Sequence, residues 1–139
     1  MTNDTGADAG AGVRELRLVI TTDDYEETLR FYRDVLGLTE LADFSSDDGR
    51  VRLLAAGRAT VEVVDRRQAE FIDRVEVGRR VAGHLRVAFE VGDTAATTTR
   101  LANAGAETIA PPTRTPWSSL NSRLRAPDGL QLTLFEELP

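Results

Sequence analysis

The chain contains no cysteine among its 139 residues, only one histidine and only one tryptophan, and its basic residues include no lysine. Without thiols, disulfides, zinc–thiolate centres and cysteine nucleophiles are all excluded. No apolar run approaches the ~20 residues a membrane helix needs. The opening stretch, MTNDTGADAGAG, has neither the basic start nor the apolar core of a signal peptide. A cytoplasmic protein with no membrane partner is therefore expected, with residues 1–12 as a disordered lead-in rich in Gly, Ala and polar residues. Positive charge is in short supply as well. The 17 basic residues, all arginine, face 23 acidic ones for a net charge of −6. That balance argues against a dedicated nucleic-acid binder, whose affinity rests on a basic face. Arginine grips carboxylates and planar anions with a rigid fork that lysine lacks, so the positions of these arginines matter.

What is present is ordinary and globular, 41% apolar and 29% charged, and the length suits one domain. Its organising stretch is ELRLVITTDDYEETLRFYRDVLGL, residues 15–38. Leu16, Leu18 and Ile20 alternate with Arg17, Val19 and Thr21, the period of a strand. Tyr25, Leu29, Tyr32 and Leu36 then recur at helical spacing. Asp23 or Asp24 is placed to cap that helix and Gly37 to end it. A strand at 39–44, the polar turn 45–49, a strand near 51–55 and another at 59–64 complete a β-α-β-β-β pattern over residues 13–65. The charged stretch 66–83 reads as a connector with a short helix, apolar at Phe71, Ile72 and Val75 and solvated elsewhere.

The pattern then returns over residues 84–139. A shift of 69 positions carries Leu16 onto Leu85, Arg17 onto Arg86, Leu18 onto Val87 and Asp24 onto Asp93. Gly105 ends the second helix about where Gly37 ends the first. Beyond it come Thr108 to Ala110, a proline-rich loop, a strand over 120–125, an Asp128-Gly129 turn and a final strand over 130–136. An internal repeat of this size implies two like modules sharing a core.

The segments FYRDVLGL at 31–38, FEV at 89–91, TPW at 115–117 and APDGLQLTLFE at 126–136 resemble the vicinal-oxygen-chelate superfamily, which includes glyoxalase I, extradiol dioxygenases and bleomycin-resistance proteins. The resemblance spans about residues 13–137. It implies an α+β fold in which two β-α-β-β-β modules form a curled mixed sheet, with a concave ligand face and helices on the convex face. It also implies a homodimer, as members commonly form.

Enzymatic members of that superfamily hold a divalent metal with His and Glu side chains on the first and last strands of each module. The matching positions here are Arg17, Glu62, Arg86 and Thr133. Guanidinium is cationic and has no lone pair to give a metal. Glu62 alone does not make a site for a hard or borderline cation. No metal, no cofactor and no catalytic residue is therefore expected. His84, two residues before Arg86, falls by alternation on the same face; as a ligand or a general base it lacks companions.

By the same alternation, Asn121 and Arg123 share the ligand face, while Leu16, Leu85 and Leu130 bury against the helices along with their strand neighbours. Trp117, at the resemblance's PW position beside the cavity, offers a plate on which a planar ligand could stack. The expected binding set is thus Arg17, Glu62, His84, Arg86, Trp117, Asn121, Arg123 and Thr133. Two roles stand open for the arginine–glutamate cluster. It either fills the space a metal would occupy, or leaves a guanidinium for a small polar or anionic molecule. A binding protein like the bleomycin-resistance type is the first expectation. A metal-dependent or metal-free lyase, isomerase or dioxygenase is the alternative.

Overall fold

The computed structural model describes residues 12–139; the expected lead-in lies almost wholly outside them. Eight strands and three helices follow the expected order: β1 Val13–Thr22, α1 Tyr25–Leu29 with a wider helical continuation Arg30–Val35, β2 Glu40–Asp43, β3 Val51–Ala56, β4 Ala59–Asp65, α2 Arg66–Glu76, β5 Leu85–Val91, α3 Thr94–Asn103, β6 Glu107–Arg114, β7 Ser119–Arg125 and β8 Gln131–Glu137. They fall into two compact units, Arg17–Arg86 and Val87–Pro139, the latter with the described residues up to Leu16. In the first unit the strand order is β2-β3-β4-β1, and in the second β5-β8-β7-β6. In each the opening strand lies parallel to the closing one, β1 to β4 and β5 to β8, and the remaining pairs are antiparallel. This is the repeated β-α-β-β-β plan of an α+β fold.

Local chemistry explains the repeat. The N-cap acceptors are Asp24, whose Oδ1 accepts the Glu27 amide at 3.3 Å, and its counterpart Asp93, which accepts the Ala96 amide at 2.9 Å. Gly37 and Gly105 close the two helices with φ of +91° and +115°, values that side-chain-bearing residues rarely adopt. One part of the first helix departs from expectation. From Arg30 onward the winding loosens, and the Leu36 amide bonds the carbonyl of Phe31, five residues back, at 2.9 Å. A wider turn rotates the following side chains. Tyr25 and Leu29 remain buried, but Leu36 emerges 60% exposed instead of completing the stripe.

The first unit is packed on both faces of its sheet. Tyr25 and Leu29 of α1 meet Leu54 and Val63 on one side, with Tyr32, Leu38 and Val61 around them. Val19, Val51 and Val64 meet Ala69 of α2 on the other. The charged 66–83 stretch is therefore more than a solvated linker. Its helix buries Gln68, Ala69, Ile72, Asp73 and Glu76, and covers part of the face expected to be left for ligand. In the second unit α3 covers one face, where Val91, Leu124 and Leu134 cluster with Phe89 and Leu101.

Two further expectations are corrected. The proline-rich segment is no loop as far as Arg114, since β6 runs straight through Pro111 and Pro112, with register breaks between Ala110 and Thr113. Proline lacks an amide donor, and the outermost position in a strand order is where that loss is tolerated. Leu16, Leu85 and Leu130 are exposed, not buried. Alternation fixes the face of a side chain but not how far along the strand a helix reaches to cover it.

Candidate ligand-binding site

On the first module, the parallel register sets Arg17 opposite Thr60 and Val19 opposite Glu62. Arg17 and Glu62 thus share a face, two residues out of step, as alternation requires. Arg17 Nη1 stands 3.5 Å from Glu62 Oε1, and the two side chains keep 16% and 13% of their surface exposed. This is a largely sheltered ion pair that keeps a small part of its surface in solvent. Arg86, the second residue of β5, is buried.

His84 does not join that face. It precedes the first residue of β5, so the alternation that placed it beside Arg86 does not reach it. Its backbone carbonyl accepts the Thr21 amide at 2.9 Å, and its Nδ1 lies 2.7 Å from the Thr21 carbonyl oxygen. A carbonyl can only accept, so Nδ1 is the donor in this contact, and in the tautomer with one ring proton Nε2 is left as the acceptor.

On the second module, Arg123 of β7 lies opposite Thr133 of β8, and Asn121 opposite Phe135. Arg123 has no exposed surface, and Thr133 and Asn121 are buried too. Arg123 donates from Nη1 to Gln131 Oε1 at 3.1 Å, and Asn121 Oδ1 accepts from the Ser119 hydroxyl at 2.7 Å. These residues make a built polar interior rather than an open surface. Pattern alone finds their shared face but not what encloses it. Trp117 is different. It stands 42% exposed in the turn between β6 and β7, where Ser118 takes a φ of +64°.

Sequence reasoning missed a second polar system in the first module. Arg52 reaches the Tyr25 hydroxyl at 3.4 Å, Glu40 at 3.3 Å and Asp43 at 3.3 Å, while the Arg50 guanidinium lies 4.5 Å from the centre of the Tyr25 ring. Burial raises the Tyr25 hydroxyl above its ordinary pKa against the opposing pull of Arg52. Hydrogen bonds from Ser45 hold the Asp43 carboxyl below the usual range. The signal was the spacing of Arg50, just before β3, and Arg52 within it, opposite an aromatic-headed helix. Also missed was the hydroxyl seam in the second module. There Thr98 bonds Ser122 at 2.7 Å and the Thr94 carbonyl at 2.7 Å, and Thr94 bonds the Leu120 carbonyl at 2.9 Å. The run TAATTT in α3 was its only trace.

The donor set does not suit a chelated divalent cation. Glu62 faces a guanidinium, His84 leaves the Arg17 face, and among the described residues no three His, Cys, Asp or Glu side chains converge to hold an ion.

The comparisons agree with this architecture. The pattern that defines the Glyoxalase/Bleomycin resistance protein/Dioxygenase superfamily matches residues 16–134, and the chain belongs to that superfamily. Among solved structures, a hypothetical protein from Bacillus halodurans C-125 is similar at a TM-score of 0.66 and 15% identity, over 88% of this chain and 93% of that one. Methylmalonyl-CoA epimerase from Mycobacterium tuberculosis is similar at a TM-score of 0.64 and 19% identity, over 98% of this chain and 94% of that one. A variant of Streptomyces coelicolor methylmalonyl-CoA epimerase, in complex with 2-nitronate-propionyl-CoA, is similar at 0.64 and 18%, over 88% and 96%. At these identities the likeness speaks for the fold. No curated protein matches the chain.

Proposed function

We propose that this superfamily member binds a small planar polar or anionic molecule without a chelated divalent metal. The observation that carries the reading is the Arg17–Glu62 pair, held at 3.5 Å yet partly open to solvent, at positions where the superfamily resemblance puts metal ligands. An anion that displaces the Glu62 carboxylate takes over a ready guanidinium fork. The acidic balance of the chain speaks against nucleic acid as partner, and no described helix is long and apolar enough to cross a membrane. A cytoplasmic setting goes with this reading.

Calorimetric titration with planar aromatic carboxylates is expected to show saturable binding, and Arg17→Ala to weaken it about tenfold, the loss of one charge-assisted contact. Absence of binding across the panel overturns the reading. So does near-stoichiometric divalent metal in untagged protein that disappears on Glu62→Ala; that result favours the alternative, a lyase, isomerase or dioxygenase, toward which the epimerase neighbours lean.

The reading includes a homodimer. Leu41 and Phe44, at and just beyond the outermost strand β2, and Val35 on the loosened helical turn are large apolar side chains left more than half exposed, the composition of a surface that is covered on association. Sedimentation of the wild-type chain is expected to give a dimer, and the double change Leu41→Glu with Phe44→Glu a monomer. A wild-type monomer at micromolar concentration removes this part of the reading.

A further inference from the structure

The first module holds a cleft on the other side of β1 from Arg17. Ile20 and Thr22 line it, and they alternate with Arg17, Val19 and Thr21 along the strand. Its volume is about 360 Å³, enough for a small organic molecule. The opposite wall is the first helix at the point where its winding loosens, and Phe31 and Tyr32 stand there edge to face with centroids 5.2 Å apart. Loosened turns of this kind recur at binding sites because they re-aim side chains that a regular helix would point elsewhere. Phe31 is more than half exposed, an apolar ring held toward water with no core to enter.

The cleft holds hydroxyls, which can donate or accept, an imidazole and two carboxylates, but no cationic side chain. His84 closes it, with Nδ1 committed to the Thr21 carbonyl and the Nε2 lone pair remaining to accept. The Thr22 and Thr28 hydroxyls bond each other at 2.8 Å. Asp24 adds negative charge at the rim, and Glu27 stands there with its charge met by Arg30. The nearby arginine, Arg30, is held on Glu27 at 2.5 Å and is not among the lining residues. A site that offers an imidazole, hydroxyls, aromatic faces and the Asp24 carboxylate, with no cation of its own in the lining, favours a ligand that donates and is positive.

We propose that this cleft binds a small primary amine carrying an apolar body. The ammonium donates to His84 Nε2 in the field of Asp24, and the body rests against Ile20, Phe31 and Tyr32. The site is separate from the anion-binding reading of the Arg17 face and stands or falls without it.

As the chain has a single histidine, the His84 ring protons form a resolved nuclear magnetic resonance reporter. At pH 8, benzylamine is expected to shift them saturably, with benzyl alcohol and benzoate about tenfold weaker or inert. His84→Asn keeps a donor for the Thr21 carbonyl and removes the Nε2 acceptor. Followed by calorimetry, it and Phe31→Ala are each expected to weaken benzylamine severalfold, while Arg17→Ala leaves benzylamine binding unchanged. A benzoate response equal to that of benzylamine overturns the proposal. So does a benzylamine response that vanishes in Arg17→Ala, or no saturation by benzylamine at all.

Discussion

Replacing Gly49 with alanine is expected to destabilise the first module by about 3 kcal/mol, at the upper end of what overpacking costs. Gly49 is buried in the 46–49 turn, where Ser46 and Gly49 exchange backbone hydrogen bonds at 2.9 and 3.2 Å. A Cβ on Gly49 lands 2.3 Å from the Gln68 amide nitrogen and 2.5 Å from its Cα, both backbone atoms in the first turn of α2. Neither can swing aside as a side-chain tip would. That same Gln68 amide donates to Asp65 Oδ1 at 2.8 Å, the N-cap of α2, so yielding there also loosens the cap. Gly83→Ala is the control. Open space surrounds it, and its stability change is expected within about 0.5 kcal/mol. Denaturant unfolding of both variants checks the pair. Equal midpoints show that the turn and the helix do not meet as closely as described.

Asp73→Ala is expected to cost a similar amount, about 3 kcal/mol and roughly 10 °C in melting temperature, by a different route. Asp73 is 1% exposed and lies near the end of α2. Its carboxylate accepts the Val81 and Ala82 amides at 2.8 Å each and stands 3.4 Å from Arg80 Nη1. Its own carbonyl accepts from Val77 and Gly78 at 2.8 and 2.9 Å. One residue thus folds the connector back on the helix that precedes it. Truncation leaves two amides and a guanidinium without that acceptor, and removing one partner of a buried charged bond costs more than the bond is worth. Hydrogen exchange is expected to accelerate selectively at Val81 and Ala82. Uniform acceleration across the first module, or none, contradicts this account.

Asp73 also marks a limit of reading the chain from its residues. In the stretch RRQAEFIDRVEVGRR nothing sets it apart from the other acids around it, because its role depends on amides eight and nine positions away returning to meet it. The elements themselves were legible. The shift of 69 positions that carries Asp24 onto Asp93 pairs two real N-caps, and Gly37 and Gly105 are real left-handed stops. Periodicity failed where the backbone changed its own period, at Arg30–Val35, and so misplaced Leu36. It failed for His84 because alternation was carried past the end of a strand. At the candidate site, the shared face of Arg17 and Glu62 could be read from the strand period, and so could that of Asn121, Arg123 and Thr133. The cover over those faces could not, since it depends on side-chain packing remote in sequence. Ala69 coming down on Val19, Val51 and Val64 is one such case.

The two prolines in β6 carry a last consequence. The rim of a sheet is a template on which further chains can zip, and runaway growth of that kind ends in fibrils. Pro111 and Pro112 remove two successive donors from β6, the outermost strand of its order, and the register breaks around them bend the ladder. A stranger strand arriving there meets a bent ladder with a donor missing, so the same residues that disguise β6 as a loop make that margin a poor template.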